Sequence, residues 1–270
     1  MITSRSNPQV KYVRRLQDDR RYRHAERAFV VEGTRWMREV AAAGIRPRTL
    51  FATTAWLESN EGRGLAAALG APPGGPVEVA GEIMAAMSDT ETAPGVLAVL
   101  PMEPRPWPDS PSLVVILDAV GNPGNLGTIL RAASAAGADG VLLGPGCVDP
   151  YNPKVVRGSM GAILRLPVRA ATWTEIGDEI VRPAAGLDVW LAVARGGVAY
   201  TDVDWRRPSA ILIGGEPRGA GEAAERLATG RVTIPMAGET ESLNAALAAG
   251  ILLFEAARRR AGAPPPADHT

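Results

Sequence analysis

The sequence contains little of the chemistry that disulfides and metal sites need. Its 270 residues include one cysteine, Cys147, and two histidines, His24 and His269. A single cysteine excludes a disulfide within the chain, and so few sulfur and imidazole ligands argue against a metal site. Since no histidine stands near Cys147 to activate its thiol, we interpret this residue as a small buried or loop residue rather than a nucleophile.

Long apolar segments are absent as well. No uninterrupted apolar run reaches the roughly 18 residues that a membrane-spanning helix requires. Residues 1–27 lack the apolar central stretch of a secretion signal. The apolar content of 46% is ordinary for a globular protein, so we expect a soluble, cytoplasmic protein that binds no membrane.

The net charge is zero, but the charge is distributed unevenly. Residues 1–48 contain twelve arginines and lysines against five acids, an excess of seven positive charges. A basic end of this kind suits contact with a polyanion such as a nucleic acid. A solvated, arginine-rich helix face would have the same composition, so composition alone leaves both interpretations open.

Proline divides the chain into two parts. Five of the residues 101–111 are prolines. Because proline fixes φ and lacks an amide donor, neither a helix nor a central strand can run through this segment. We therefore predict a linker at 101–111, one domain before it at 1–100, a second at 112–260 and a disordered tail at 261–270.

Apolar and amphipathic segments alternate in both parts, which predicts α/β domains. In the first domain, a basic helical start precedes four expected strands, AFVVEG, RTLFAT, VEVA and GVLAVL, and three expected helices, TRWMREVAAAG, GRGLAAALG and GEIMAAMS. The strands of the second domain are expected at LVVILD, GVLLG, DVWLAVA, AILIGG and RVTIP. Continuous apolar strands that alternate with helices predict a mostly parallel sheet covered on both faces.

The last helix is predicted from about Ser242 to Arg260. It ends in three arginines, which suit the negative end of the helix dipole. Its large apolar residues fall along one stripe, at Leu243, Leu247, Ile251 and Phe254. A stripe of this kind is typical of a helix that packs in the core of its own domain.

Three corners rich in glycine or asparagine follow apolar strands of the second domain: GNPGNLG, GGEPRGAGE and IPMAGETESLN. Parallel α/β sheets bind ligands at the carboxyl ends of their strands, so the three corners could converge on one site. Singly, each is explained as a turn. In that interpretation Asn125 and Ser242 cap helices, Arg131 is a surface arginine in an ion pair, and Glu216 is an acid in a first helical turn.

Two familiar nucleotide-binding patterns are not matched by these corners. The first corner lacks the spacing of G-x-G-x-x-G, and the second is not followed by Gly-Lys-Ser/Thr as in a P-loop. No acid ends the second strand to bind a ribose, so a nicotinamide-dependent oxidoreductase is disfavoured.

In their order along the chain, NPGNLGTILRAASAAGADGVLL, LIGGEPRGAG and IPMAGETESLNAALAAGILLFEAAR resemble the three motifs of the SpoU (TrmH) family of RNA ribose 2′-O-methyltransferases, within the SPOUT superfamily. The segment from Asp149 to Val168 resembles the family segment between the first two motifs. The first domain, with FVVEG near its start and TAPGVLAV before the linker, resembles the substrate-binding domain of many members. The similarity covers nearly all of the chain.

The resemblance implies an α/β architecture of two parts. A small N-terminal domain would bind RNA, and a C-terminal SPOUT domain with a parallel sheet would contain a deep trefoil knot. Members bind S-adenosylmethionine in the knot and act as homodimers packed through this domain. With the apolar stripe of the last helix, this predicts a homodimer here.

Motif positions carry the family's site onto this sequence. Cofactor contacts would fall at Gly214, Ile234 and Leu243. The substrate-binding and catalytic residues would be Asn125, Arg131, Glu216, Ser242 and Asn244. The second motif departs from the usual Gly-Asn/Ala-Glu-Gly, because Pro217 follows Glu216 and removes one amide donor.

Arg131 has two candidate roles. Family members are proposed to use an arginine as the base that deprotonates the ribose 2′-hydroxyl. A guanidinium is essentially always protonated, so we favour a clamp on the neighbouring phosphate that also stabilises the developing alkoxide.

We therefore expect methylation of a ribose in RNA. Members with a separate N-terminal α/β domain often act on large-subunit ribosomal RNA, whereas members that act on transfer RNA often lack it, so ribosomal RNA is the favoured substrate. The alternative from another class is a ribosome-associated RNA-binding protein whose methyltransferase site has decayed. The intact set of motif residues argues against that alternative.

Overall fold

The computed structural model of the chain divides into two compact units, Met1–Glu103 with Tyr151–Leu164, and Pro104–Pro150 with Arg165–Thr270. The residues it describes are 1–70, 74–181, 187–215, 219–238 and 240–262. The sequence boundaries placed Tyr151–Leu164 in the second domain, whereas its contacts group it with the first unit. Arg157 forms an ion pair with Asp89, and the ring of Tyr151 lies 4.9 Å from that of Phe29.

The helices and strands follow one another in an α/β pattern. Up to residue 101 they are α1 Pro8–Asp18, α2 Arg20–Glu26, β1 Ala28–Glu32, α3 Thr34–Ala42, β2 Thr49–Ala52, α4 Thr54–Glu58, α5 Asn60–Ala68, β3 Val77–Glu78, α6 Gly81–Met87 and β4 Val96–Pro101. From residue 113 they are β5 Leu113–Asp118, α7 Pro123–Ala135, β6 Gly140–Leu143, α8 Pro153–Ser159, β7 Val168–Ala170, β8 Asp188–Ala192, β9 Val198–Ala199, β10 Ser209–Gly214, α9 Glu222–Leu227, β11 Gly230–Thr233 and α10 Ala245–Arg260. A 3₁₀ turn spans Ala162–Leu164, and a π-helical segment spans Glu175–Val181.

The first unit is built on a mixed sheet with the strand order β1-β4-β2-β3. Strand β4 runs antiparallel to β1 and β2, and β3 runs parallel to β2. Helix α1 buries Val10, Val13 and Leu16 in a cluster that includes Phe51 and Leu97 of the sheet. Every helix and strand expected here from the sequence is present, and the short α4 was missed.

The second unit confirms the predicted parallel sheet. Its described strands run in the order β7-β6-β5-β10-β8-β11-β9, and every pairing is parallel. The five strands predicted from apolar runs became β5, β6, β8, β10 and β11. Strands β7 and β9 were missed because they are two or three residues long and have no buried residue, so they carry no apolar signal.

The last helix buries a different face from the predicted stripe. It starts at Ala245 because Asn244 is its N-cap, and its buried residues are Ala245, Ala246, Ala249, Leu252, Leu253 and Ala256. Leu247 and Phe254 are 54% and 53% exposed, so the interpretation that the stripe belongs to the core of its own domain is wrong for these two residues. Four alanines and two leucines form the inner face, which leaves two of the larger side chains outside.

No described helix is long and apolar enough to cross a membrane. The tail was predicted from residue 261, and residues 263–270 lie outside the described part of the chain.

Candidate active site

The sheet register places the first and second corners side by side. Strands β5 and β10 are parallel neighbours, and Asp118 at the end of β5 is paired in register with Gly214 at the end of β10. A Cβ on Gly215 would lie well inside van der Waals contact with the carbonyl oxygen of Ala119. Only glycine allows this approach of the two backbones, so the glycine at 215 packs the corners together.

The first corner turns sharply before α7 begins. Ala119 has φ = 52°, which is unusual for a residue with a side chain. The N-cap of α7 is Asn122, whose Oδ1 accepts hydrogen bonds from the amides of Gly124 at 2.8 Å and Asn125 at 3.2 Å. The interpretation of Asn125 as the helix cap is therefore wrong, because its neighbour three residues earlier takes that role. This leaves the Asn125 side chain free for another contact.

That contact is made with the third corner. Asn244 Nδ2 donates to Asn125 Oδ1 at 3.0 Å. Asn244 Oδ1 meanwhile caps α10 by accepting from the amides of Ala246 at 2.9 Å and Leu247 at 3.2 Å. Asn244, not Ser242, is thus the cap of α10. Because the cap fixes the oxygen of Asn244, its NH₂ group faces Asn125, and the hydrogen bond joins the first and third corners.

Asn244 is exposed and Asn125 is half-buried, so both can be reached by a large ligand. Since Oδ1 of Asn125 accepts from Asn244, the NH₂ group of Asn125 is left to donate. It donates to no other described residue. Within the described part of the chain, the pair thus presents an oriented hydrogen-bond donor that has no partner.

Arg131 lies on α7, six residues after Asn125, and its side chain is exposed. It forms no hydrogen bond or ion pair with a described residue, so the interpretation of a surface arginine neutralised by a carboxylate has no support in the described part of the chain. An exposed guanidinium is suited to binding a phosphate. Glu216 and Pro217 lie outside the described residues.

A cavity of about 370 Å³ opens at the carboxyl ends of the central strands. Its lining includes the three predicted cofactor residues, Gly214, Ile234 and Leu243, together with Ser242. Asn125, Arg131 and Asn244 are not part of the lining. The structure therefore gathers the predicted cofactor residues in one cavity and links the two asparagines by a hydrogen bond.

Gly214 shapes the cavity through the backbone. A Cβ at this position would collide with the backbone of Gly219 and Ala220, where the loop after β10 returns beside its own strand. Gly215 and Gly219 are joined by an isolated antiparallel bridge. A side chain at 214 would push this loop away and change the cavity wall.

Other parts of the lining were missed by sequence reasoning. The end of β8 contributes Leu191 and Ala192, and the third corner contributes Met236. Strand β8 lies between β10 and β11, and the carboxyl ends of neighbouring parallel strands share one edge. The signal was therefore present in the predicted strand DVWLAVA, but the strand order was needed to use it.

Cys147 is not a nucleophile of this site. Its Sγ lies 3.4 Å from the carbonyl oxygen of Leu117 and is placed to donate to it. Burial raises the pKa of the thiol to about 11, so the unreactive protonated form dominates near neutral pH. Cys147 lies in the loop after β6, in agreement with the sequence interpretation. The described residues contain no group of three or more His, Cys, Asp and Glu side chains that could hold a metal ion.

The cavity fits a medium-sized organic cofactor. Its volume of about 370 Å³ falls within the range of roughly 300–1,000 Å³ that is usual for small-molecule pockets. Leu191, Ile213 and Leu252 give it apolar walls, while the glycine-rich loop exposes backbone groups to it. Apolar walls with a few backbone donors and acceptors suit a ligand with a ring system and polar edges.

Comparison with known proteins agrees with this geometry. Residues 112–254 match the SpoU rRNA Methylase family, and residues 7–98 match the MRM3-like substrate binding domain. An uncharacterized tRNA/rRNA methyltransferase of Synechocystis is 35% identical over 267 residues, which cover 98% of this chain and 96% of the relative. The 23S rRNA (guanosine(2553)-2′-O)-methyltransferase RlmP of Bacillus subtilis is 29% identical over 254 residues, or 94% of this chain and 97% of the relative.

A solved structure extends the similarity to the fold. The crystal structure of an AdoMet-bound rRNA methyltransferase from Sinorhizobium meliloti aligns with a TM-score of 0.81 at 32% identity, covering 96% of this chain and 97% of the other. The family match spans more than half of the chain, and relatives above 30% identity align over nearly its full length. The protein therefore belongs to the SpoU rRNA methylase family.

Proposed function

We propose that this protein transfers a methyl group from S-adenosylmethionine to the 2′-hydroxyl of a ribose in RNA, with large-subunit ribosomal RNA as its substrate. The observation that carries the proposal is the cavity at Gly214, Ile234 and Leu243, beside which Asn244 joins Asn125. The Bacillus subtilis relative, named as a 23S rRNA 2′-O-methyltransferase, supports the choice of ribosomal RNA.

The cavity residues hold the cofactor largely through shape. Ile234 and Leu243 provide apolar surface, and the backbone of Gly214 and its returning loop provides polar contacts. When bound, S-adenosylmethionine supplies an electrophilic methyl group attached to a sulfonium sulfur. The apolar walls also reduce contact of the reacting centre with water, which strengthens electrostatic interactions there.

Asn125 and Arg131 bind the RNA. The NH₂ group of Asn125, oriented by Asn244, donates to an oxygen of the target nucleotide. Arg131 binds the adjoining phosphate and stabilises the negative charge that develops on the ribose oxygen as its proton passes to solvent water. Since a guanidinium keeps its proton, this role is favoured over that of general base. Ser242 and Glu216 complete the substrate side of the site.

The first unit binds the RNA. Arg14, Arg20 and Arg21 are exposed on α1 and α2, and the guanidinium of Arg15 lies 4.0 Å from the centre of the Tyr22 ring. Exposed arginines neutralise phosphates, and arginines beside aromatic rings suit single-stranded bases. The basic end of the sequence also contains Arg23, which is buried and donates to the carbonyls of Leu16 and Gln17, so not all of this charge serves RNA.

Two further features belong to the proposal. The second unit contains the trefoil knot that the family resemblance implies. It also pairs with a second copy of the chain through the outer face of α10, because the exposed Leu247 and Phe254 would be covered by a symmetric partner. A ribosomal RNA substrate is consistent with the cytoplasmic location of the protein that the sequence predicted.

Mapping of 2′-O-methylated riboses in cells with and without the gene tests the proposal. We expect one site in large-subunit ribosomal RNA to lose its methyl group when the gene is removed, and to regain it on complementation. Loss of a site in transfer RNA would overturn the substrate assignment. An unchanged map together with retained RNA binding would favour a decayed methyltransferase.

A further inference from the structure

Asp118 is a buried carboxylate that neither the sequence motifs nor the proposed chemistry uses. It is the last residue of β5 and is 6% exposed. A buried carboxylate is costly unless it is hydrogen-bonded, and no described arginine or lysine forms an ion pair with it. Its Oδ2 accepts a hydrogen bond from the backbone amide of Gly221 at 2.6 Å. This short, charge-assisted bond is of the stronger kind.

Gly221, which donates to Asp118, ends the loop that forms one wall of the cavity. Gly219 and Ala220, which precede Gly221, both line the cavity. The start of the loop is fixed because Gly215 packs on Ala119, and Gly215 is bridged to Gly219. The hydrogen bond that the amide of Gly221 donates to Asp118 fixes the other end of the same loop. Asp118 itself does not line the cavity.

We propose that Asp118 is a positioning residue that holds residues 219–221 where they form the wall of the cofactor cavity. The proposal rests on the proposed function, since it takes this cavity as the site of S-adenosylmethionine. Gly221 is exposed, and its hydrogen bond to Asp118 is half-buried. Without the carboxylate, the amide of Gly221 loses its acceptor within the protein and the end of the loop loses this hydrogen bond, which favours movement of the loop. Such movement weakens cofactor binding without removing Arg131 or Asn125.

The same strand provides a matched control at its other end. Asp139 Oδ2 accepts hydrogen bonds from the backbone amides of Ser112 at 2.6 Å and Leu113 at 2.8 Å. Leu113 is the first residue of β5, whereas Asp118 is the last. Both carboxylates thus bind backbone amides at an end of β5, but Asp139 lies at the end away from the cavity.

Titration calorimetry with S-adenosylhomocysteine on the full-length protein tests the proposal. We expect Asp118→Ala to raise the Kd about tenfold or more, which is about 1.4 kcal/mol, and to raise the KM for the cofactor more than it lowers kcat. Asp118→Asn keeps an acceptor oxygen and should restore much of the affinity. Asp139→Ala should lower the Tm and leave the Kd within about twofold of the wild type.

The outcomes separate this inference from the proposed function. If the wild-type protein does not bind S-adenosylhomocysteine, the proposed function fails. If the wild type binds and Asp118→Ala binds equally well with a lower Tm, Asp118 is merely structural and the inference is overturned. If Asp118→Ala does not fold, the Kd of Asp118→Ser relative to Asp139→Ser decides, because the serine hydroxyl is too short to reach the amide of Gly221. Equal values contradict the proposal.

Discussion

Asn244 performs two tasks that a single substitution can separate. Its Oδ1 caps α10, and its Nδ2 donates to Asn125. Replacing an N-cap asparagine by alanine costs about 1 kcal/mol, and an exposed neutral hydrogen bond adds about 0.5–1 kcal/mol. Asn244→Ala should therefore destabilise the protein by about 1–2 kcal/mol, which lowers the Tm by roughly 2–8 °C.

Asn244→Asp keeps the cap but loses the donor. A carboxylate accepts from the amides of Ala246 and Leu247 as the asparagine oxygen does, so the Tm should stay within about 2 °C of the wild type. Asn125 must then rotate its amide to donate to the new carboxylate, which turns its oxygen toward the RNA. Loss of that donor should reduce methyl transfer at least about tenfold, equivalent to about 1.4 kcal/mol of transition-state stabilisation.

Thermal denaturation and transfer of tritiated methyl groups to ribosomal RNA measure the two effects. Asn122→Ala is the control, because Asn122 caps α7 without touching Asn244. It should lower the Tm with less effect on turnover. An Asn244→Asp variant with wild-type turnover would refute the assignment of Asn125 as an oriented donor.

Three further predictions address charge, assembly and the thiol. Arg131→Ala should lower methyl transfer by about 100-fold or more in a tritium assay, while RNA and cofactor still bind. Arg131→Lys should recover little activity because lysine lacks the planar fork of arginine. Near-normal turnover of Arg131→Ala would show that the catalytic centre lies elsewhere. Replacing Leu247 and Phe254 by serine should convert a dimer to a monomer in light scattering, and a monomeric wild type would contradict the proposed interface. Because the pKa of Cys147 is raised from 9.0 to about 11, the thiol of the folded protein should resist alkylation at pH 8. The free energy of unfolding should fall as the pH rises from about 9 through 11, because the thiol ionises in the unfolded chain first. Rapid labelling of the native protein at pH 8 would show that the thiol is not buried.

The elements of both units could be predicted because their apolar patterns are strong. Strands β5 and β10 are continuous apolar runs, and all but one of their residues are buried. Strands β7 and β9 have no comparable run, and only their neighbours in the sheet make them strands. The stripe of α10 was found correctly as a periodicity, but periodicity cannot distinguish an inner face from a surface left for a partner. Here four alanines with Leu252 and Leu253 form the inner face.

The contacts between the corners could not be predicted without the fold. Motif resemblance placed Asn125 and Asn244 in one site, and the structure shows a hydrogen bond between them across 119 positions of the chain. It did not reveal that Asn122 caps α7, because Asn122 and Asn125 are both asparagines near the start of the helix. The motif resemblance also did not reveal the hydrogen bond that the amide of Gly221 donates to Asp118, which depends on the parallel register of β5 and β10.

The packing of Tyr151–Leu164 also changes how the first unit can be tested. Deletion of residues 1–100 at the proline-rich segment would remove Asp89 and Phe29, which contact Arg157 and Tyr151. The remaining protein would expose part of a broken unit. Charge-reversing substitutions at Arg14, Arg20 and Arg21 are therefore the cleaner test of RNA binding.

The chemical identity of the methylated product tests the central claim most directly. Purified protein would be incubated with ribosomal RNA and S-adenosylmethionine carrying a tritiated methyl group, and the RNA would then be digested with alkali. Alkaline cleavage needs a free 2′-hydroxyl, so a 2′-O-methylated ribose protects the bond that follows it. We predict that the label appears in alkali-resistant dinucleotides, and label found only in mononucleotides, or none at all, would contradict ribose 2′-O-methylation.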